Sequence, residues 1–451
     1  MKVSYFVSIA AMLGLLTGCG IQSPSQLTKP PKQEQSMQDI MRAVNQYIPK
    51  GAQLTIPSQS QEKSAIYQVD LDGDGSNEIV TFYQNTSSSD AQNGMLVLKR
   101  EGNSWTKLAD CKGLASDVKQ AEFQDVNGDS FPDIIVGWGY AEGTDGEVAV
   151  YSYQKQQLST IWSHPYSALG IGDVDGDHKA EILVIEHNHD QLTAEGRLYS
   201  YAGSEMKESQ HIPLDGSVNG FSQVVIGKAT PDQLGIFIDA DVGAHSAMTS
   251  LLMLKKGKLV DVLADESAQQ LAYKEYPLYS QDVNHDGIVE IGTLTAPPGT
   301  EDLSMADTPW VQSWYQLNPD LGSKMKFKLV QENYANYGFG FDFTIPTNWQ
   351  GKYTIVRKRT EQQEDIQFLY LAHSAKPEAP LLTLHLIKRE NWSREQKQYP
   401  HAIVLGENNG RMIVGELPTK APALSAEESA AYQQLQLDEA KLRQAFRTFH
   451  L

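Results

Sequence analysis

Four times along this chain a short alternating strand runs into an acidic loop and out into a more apolar strand. The segments are IYQVDLDGDGSNEIVTFY (66–83), EFQDVNGDSFPDIIVGW (122–138), GIGDVDGDHKAEILVIE (170–186) and YSQDVNHDGIVEIGTLT (279–295). Their loops open at Asp70, Asp125, Asp173 and Asp282, at intervals of 55, 48 and 109 residues. The last interval spans two periods. Midway through it, VVIGKATPDQLGIFIDA (224–240) keeps both strands but sets Lys228 and Thr230 where the acids would stand. Repeats of this length bury their apolar faces against one another. Between copies the chain has room for two more strands, such as Gly146 to Tyr153 and Leu158 to Ser163. Four strands at this period make a propeller blade. The expected fold is mainly β: a β-propeller of about five blades over residues 52–332, with AQLTIP (52–57) as the outer strand that closes the last blade and hides its edge. An open arc or a sixth, degenerate blade is the alternative.

The loops read D-x-[DN]-x-D-x-x-x-[DE]. Their candidate ligands are Asp70, Asp72, Asp74 and Glu78; Asp125, Asn127, Asp129 and Asp133; Asp173, Asp175, Asp177 and Glu181; and Asp282, Asn284, Asp286 and Glu290. Hard oxygens at alternate positions of a tight loop suit Ca²⁺, and the loops lack the Cys/His set that zinc prefers. An EF-hand would put its acid at the twelfth loop position between helices. Here the twelfth residues are Thr81, Val136, Val184 and Thr293, all β-branched, and the acid is the ninth. These segments resemble FG-GAP/VCBS repeats and integrin-α propellers over about 270 residues. The resemblance implies up to four calcium ions that stiffen a scaffold, with calcium-triggered ligand binding as the alternative. Ser130 and His178 replace glycine at the sixth loop position and His285 at the fourth, where positive φ would strain them. The copy at 224–240 is expected to bind nothing.

The chain opens with Met1-Lys2, an apolar run from Tyr5 to Leu16, then Leu16-Thr17-Gly18-Cys19. The run is too short to span a membrane and reads as a secretory signal over 1–18. Its end resembles the lipobox of bacterial lipoproteins. That resemblance implies lipidation of Cys19, export, and a partner membrane reached through the lipid anchor. Residues 19–36, rich in Ser, Gln, Pro and Lys, read as a tether. A short amphipathic helix is expected over 37–50, with Met37, Met41, Val44 and Ile48 on one face. With Cys19 acylated, Cys111 has no disulfide partner and is read as a small buried apolar residue. The net charge of −19 excludes a nucleic-acid partner. Fourteen carboxylates lie in the loops, and four divalent ions would bring the charge to about −11.

Residues 333–451 read as a separate α+β domain, with strand-like runs and a final helix. Ser425 and Glu428 form its capping box, and Leu435, Leu442, Phe446 and Phe449 recur at helical spacing. In a propeller, calcium loops between first and second strands leave the opposite face to the loops near 139–146, 187–194, 241–247 and 296–310. Tyr140, His187, His189, His245 and Trp310 are the candidate ligand-face residues, suited to a glycan or peptide. Trp138 and Trp314 read as packing residues. The chain lacks the G-x-S-x-G, H-E-x-x-H and phosphate-loop motifs. The expectation is a non-enzymatic, lipid-anchored protein that binds an envelope protein or glycan. The alternatives are a polysaccharide hydrolase or lyase using Glu142, Asp145 or Asp241, and a structural spacer.

Overall fold

The computed structural model describes residues 32–449 apart from 61, 86–91, 114–115, 141–144, 266–267, 319–326, 361–362, 372–376 and 420–423. The signal, Cys19 and Glu142 lie outside the described residues. The chain is mainly β and forms two compact units, Met1–Ile56 with Lys63–Asp70 and Asp74–Leu114, and Pro57–Glu62 with Leu71–Gly73 and Ala115–Leu451. No described helix is long and apolar enough to cross a membrane.

In the first unit, helix Lys32–Tyr47 begins ahead of the expected 37–50 span. Its buried stripe is Ile40, Ala43 and Val44, which share a core with Ile79, Tyr83, Leu96 and Leu98. Met37 is exposed, so the inward face is turned from the Met37/Met41 side that the sequence suggested. The underlying sheet contains β1 (Ala52–Thr55), β2 (Ile66–Val69), β3 (Glu78–Asn85), β4 (Gln92–Glu101) and β5 (Ser104–Gly113). Its order is β1-β3-β4-β5, with β2 also on β3. β2 pairs with the first half of β3 and β1 with the second half, Ala52 opposite Asn85. AQLTIP therefore belongs to the first sheet rather than closing the last blade. The four residues of β2 cover only half of an eight-residue strand, whose remaining backbone groups β1 satisfies.

The second unit holds antiparallel sheets that repeat one plan. The second sheet is β6 (Asp117–Gln124), β7 (Asp133–Gly139), β8 (Gly146–Gln154) and β9 (Gln157–Tyr166), in that order. The third is β10 (Ala168–Gly172), β11 (Glu181–Asn188), β12 (Thr193–Ala202) and β13 (Glu205–Asp215). The fourth is β14 (Gly220–Thr230), β15 (Gln233–Val242), β16 (Ser246–Lys255) and β17 (Lys258–Asp261), with β18 (Tyr273–Lys274) beside β16.

These sheets pack in series, because side chains alternate across a strand. Along β11, Ile182 and Val184 join a core with Ile135, Val148 and Val150 of the second sheet. Leu183 and Ile185 join Ile236, Ile238 and Leu252 of the fourth. A strand covered on both faces reads as a continuous apolar run, which is why EILVI and DIIVGW show no alternation in sequence. At Gly170 the packing needs glycine, since a Cβ there would lie 2.5 Å from Val224. In the degenerate copy β14 and β15 meet across Pro231 and Asp232 alone, with Thr230 opposite Gln233. The nine-residue loop has collapsed into a tight hairpin.

The fifth sheet is β19 (Ile291–Thr295), β20 (Val311–Leu317), β21 (Phe327–Asn336), β22 (Phe341–Ile345) and β28 (Phe446–Thr448). The expected boundary at 333 falls inside β21, which pairs with β20 on one side and β22 on the other. The sixth sheet runs β23 (Tyr353–Arg359), β24 (Gln363–Leu371), β25 (Pro377–Lys388), β27 (Arg411–Glu416), β26 (Ile403–Asn408). One core unites Val311, Phe343 and Trp349 with Phe368, Leu384 and Leu442. The expected final helix is broken into helices Ala426–Gln434 and Glu439–Ala445, then strand β28. Ser425 caps the first as expected, but Asp438 starts a second helix by accepting the Lys441 N–H. Phe446 then pairs opposite Phe343 as a strand residue.

Candidate metal loops and an aromatic cleft

The acidic loops run into β3, β7, β11 and β19, from β2, β6 and β10 and, at 282, from the isolated Gln281–Glu290 bridge, and each loop's own backbone holds the carboxylates. The first residue accepts the N–H of the sixth in all four: Gly75 to Asp70 (3.0 Å), Ser130 to Asp125 (2.7 Å), His178 to Asp173 (3.0 Å) and Gly287 to Asp282 (2.9 Å). The ninth residue reaches back to the N–H of the second, from Val126 to Asp133 (3.0 Å), Val174 to Glu181 (2.8 Å) and Val283 to Glu290 (2.7 Å). The fourth and sixth positions are left-handed in every loop, glycine or not. His285 has φ 62°, Ser130 72° and His178 69°, matching 70° at Gly73 and 83° at Gly287.

The ninth acids Glu78, Asp133, Glu181 and Glu290 are all buried. Burial pushes Glu181 up to about 7, with Asp175, Asp177 and Asp173 adding to the effect, and raises Asp133 and Glu290 as well. Buried carboxylates crowded by other carboxylates favour a cation. Lysines hold two of the fifth-position acids below their ordinary range: Lys99 for Asp74 and Lys179 for Asp177.

Among the described residues, three clusters bring carboxylate oxygens within 4.8 Å of one another and can hold a metal ion. They are Asp70, Asp72 and Glu78; Asp173, Asp175 and Glu181; and Asp282, Asp286 and Glu290. The donors are hard oxygens, as calcium requires. In the loop at 125 the Asn127 amide instead donates to Asp133 (3.0 Å) and Ser152 (2.9 Å).

The candidate ligand-face residues are not gathered into one site. His187 and His189 meet edge to face at 6.1 Å, and His187 also packs on Phe221 and lies 3.1 Å from the Gly216 carbonyl. Tyr140 donates to Glu147, and His245 is exposed. Asp145 accepts from Ser167, and Asp241 from Ser222 and Tyr279. Trp138 and Trp314 are buried, as packing residues. Trp310 differs, because it lines a cleft of about 420 Å³ with Tyr276, Met305, Gln312, Tyr337 and Arg357. Its indole N–H is held by the Met305 carbonyl at 2.9 Å, and Gln312 donates to the Tyr337 hydroxyl at 2.9 Å.

No family model matches the chain. No curated protein matches it either. Similar solved structures are rhamnogalacturonan lyases. Lyase YesW gives a TM-score of 0.31 at 11% identity, over 80% of this chain and 90% of that one. The exotype lyase YesX gives 0.30 at 9%, over 72% and 84%. The Bacillus licheniformis lyase PL11 gives 0.30 at 12%, over 61% and 68%. At these scores the likeness carries nothing about activity.

Sequence reasoning missed the cleft partners Tyr276, Tyr337 and Arg357, which come from separate segments and share no motif. It also missed the residues that face the ninth acids across the sheets. Lys99, Ser152, Ser200 and Gln316 are polar residues inside strands β4, β8, β12 and β20, in the runs LVLKR, AVYSY, RLYSY and SWYQL. That polar position was the available signal.

Proposed function

We propose that this chain is an exported, lipid-anchored, calcium-stabilised β-propeller that binds a protein or glycan of the cell envelope and performs no catalysis. The observation that carries the reading is the recurrence of the acidic loop at one corner of like-ordered sheets, with carboxylates converging in three of them. Serial packing of these sheets through doubly covered central strands supports blades rather than a two-layer sandwich. Calcium is the ion because every donor is a hard oxygen and the loop runs between strands. The Trp310 cleft is the grip, where rings supply apolar area while Gln312 and Arg357 supply orientation.

Melting in calcium and in EGTA tests the scaffold. Each site saturated at a hundred times its Kd contributes about 2.7 kcal/mol, so calcium raises Tm by several degrees. An unchanged Tm defeats the calcium reading. Capture from envelope extract tests the grip: Trp310→Ala abolishes it at an unaltered Tm, and undiminished capture places the binding elsewhere.

A further inference from the structure

One step beyond the register pairs Ile79↔Leu98, Ile134↔Tyr151, Ile182↔Tyr199 and Ile291↔Tyr315, the strand that pairs with the loop's outgoing strand, β4, β8, β12 or β20, sets a residue opposite the ninth acid. Those residues are Lys99, Ser152, Ser200 and Gln316. Three are neutral. Gln316 donates to Glu290 (2.6 Å) and Asp286 (2.7 Å), and the Ser152 hydroxyl accepts from Asn127 (2.9 Å).

The first sheet departs from this rule. Lys99 Nζ lies 3.1 Å from Asp74 Oδ2 and 3.2 Å from Glu78 Oε1, the fifth and ninth acids of its loop. The Glu78 side chain is 1% exposed, that of Lys99 20% and that of Asp74 45%, so the Lys99–Glu78 half of the contact is sheltered and fixed by strand register while the Asp74 half is open to solvent. Calcium would have to reach the same oxygens at roughly 2.3–2.6 Å. A divalent ion would then stand beside an ammonium in a site of low dielectric, where like charges repel strongly.

We infer that Lys99 is the resident cation of the first loop, and that this loop takes up no calcium while Lys99 is present. Lys99 thereby sets which repeats depend on calcium. The first sheet holds its loop with the chain's own charge, and the others need the ion. This inference rests on the reading of the loops as calcium sites.

Calcium titration against a chromophoric chelator, with the full chain, decides it. Lys99→Ser, which copies the second and third sheets, takes up one ion more than wild type and melts lower than wild type in EGTA. Lys99→Gln, which copies Gln316, is the second variant should the serine protein fold poorly, and it too gains an ion. Equal, non-zero uptake by wild type and both variants overturns the inference and leaves the calcium reading intact. Uptake of no calcium by any of the three proteins overturns both.

Discussion

Ser130 and His178 hold left-handed backbone at the loop position that Gly75 and Gly287 occupy without strain. A side chain in that region costs roughly 1–2 kcal/mol, and glycine returns about half of it as unfolded-state entropy. Ser130→Gly and His178→Gly therefore stabilise the protein by roughly 0.5–1 kcal/mol each, read as a higher midpoint in urea. Gly75→Ala moves it the other way. These residues were legible in the sequence because the repeat supplies its own comparison, with a glycine in one copy marking the strain in another. Lys99 was not. Its distance from the ninth acid is 21 residues in the first copy, against 19, 19 and 26 in the others, so only strand pairing brings the equivalent residues into line.

Elements were legible where burial is one-sided and obscure where it is not. β24, with the burial alternation of a half-covered strand, and the capped helix at Ser425 follow local rules. The end of the chain does not. Leu435, Leu442 and Phe446 keep helical spacing, yet Phe446 pairs opposite Phe343 as a strand residue and joins the core there. The sixth sheet also carries a site that no motif announced. His385, buried on β25, lies 2.8 Å from Asp365 on β24 and 3.1 Å from Glu416 on β27, under the Tyr399 ring at 4.6 Å. Burial opposes its charge, but hydrogen bonds to Asp365 and Glu416 outweigh burial and raise it above 6.5. A histidine raised on folding stabilises fully below its unfolded value and loses that contribution as pH rises through the folded one. Wild type therefore loses stability from about pH 6.5 upward. His385→Gln flattens that slope. Parallel slopes in melts from pH 5.5 to 8.5 would assign the contribution elsewhere.

At the scale of the whole molecule, the mainly β build and the recurrence of antiparallel sheets were readable from the repeated segments, whereas the junction at 333 was not. The change in sequence texture there reflects a change of sheet partners, since β21 belongs to the sheets' series through β20 and to the C-terminal segment through β22. The fourth sheet now acquires a meaning in time. Its Pro231-Asp232 turn closes two long strands with no loop to organise, and Lys274 pairs with Asp239 in the buried interior at 3.1 Å. On the proposed reading of the acidic corners as calcium sites, the sheets that carry them remain open to local unfolding until the ion binds. Hydrogen exchange in EGTA should leave amides of β15 protected longest and those of β7 and β11 exchanging sooner, with the difference closing as calcium is added. Uniform exchange across the three strands would show that all sheets open together. On that reading, the copy without acidic ligands is the one stretch of the repeat that needs no ion to be complete.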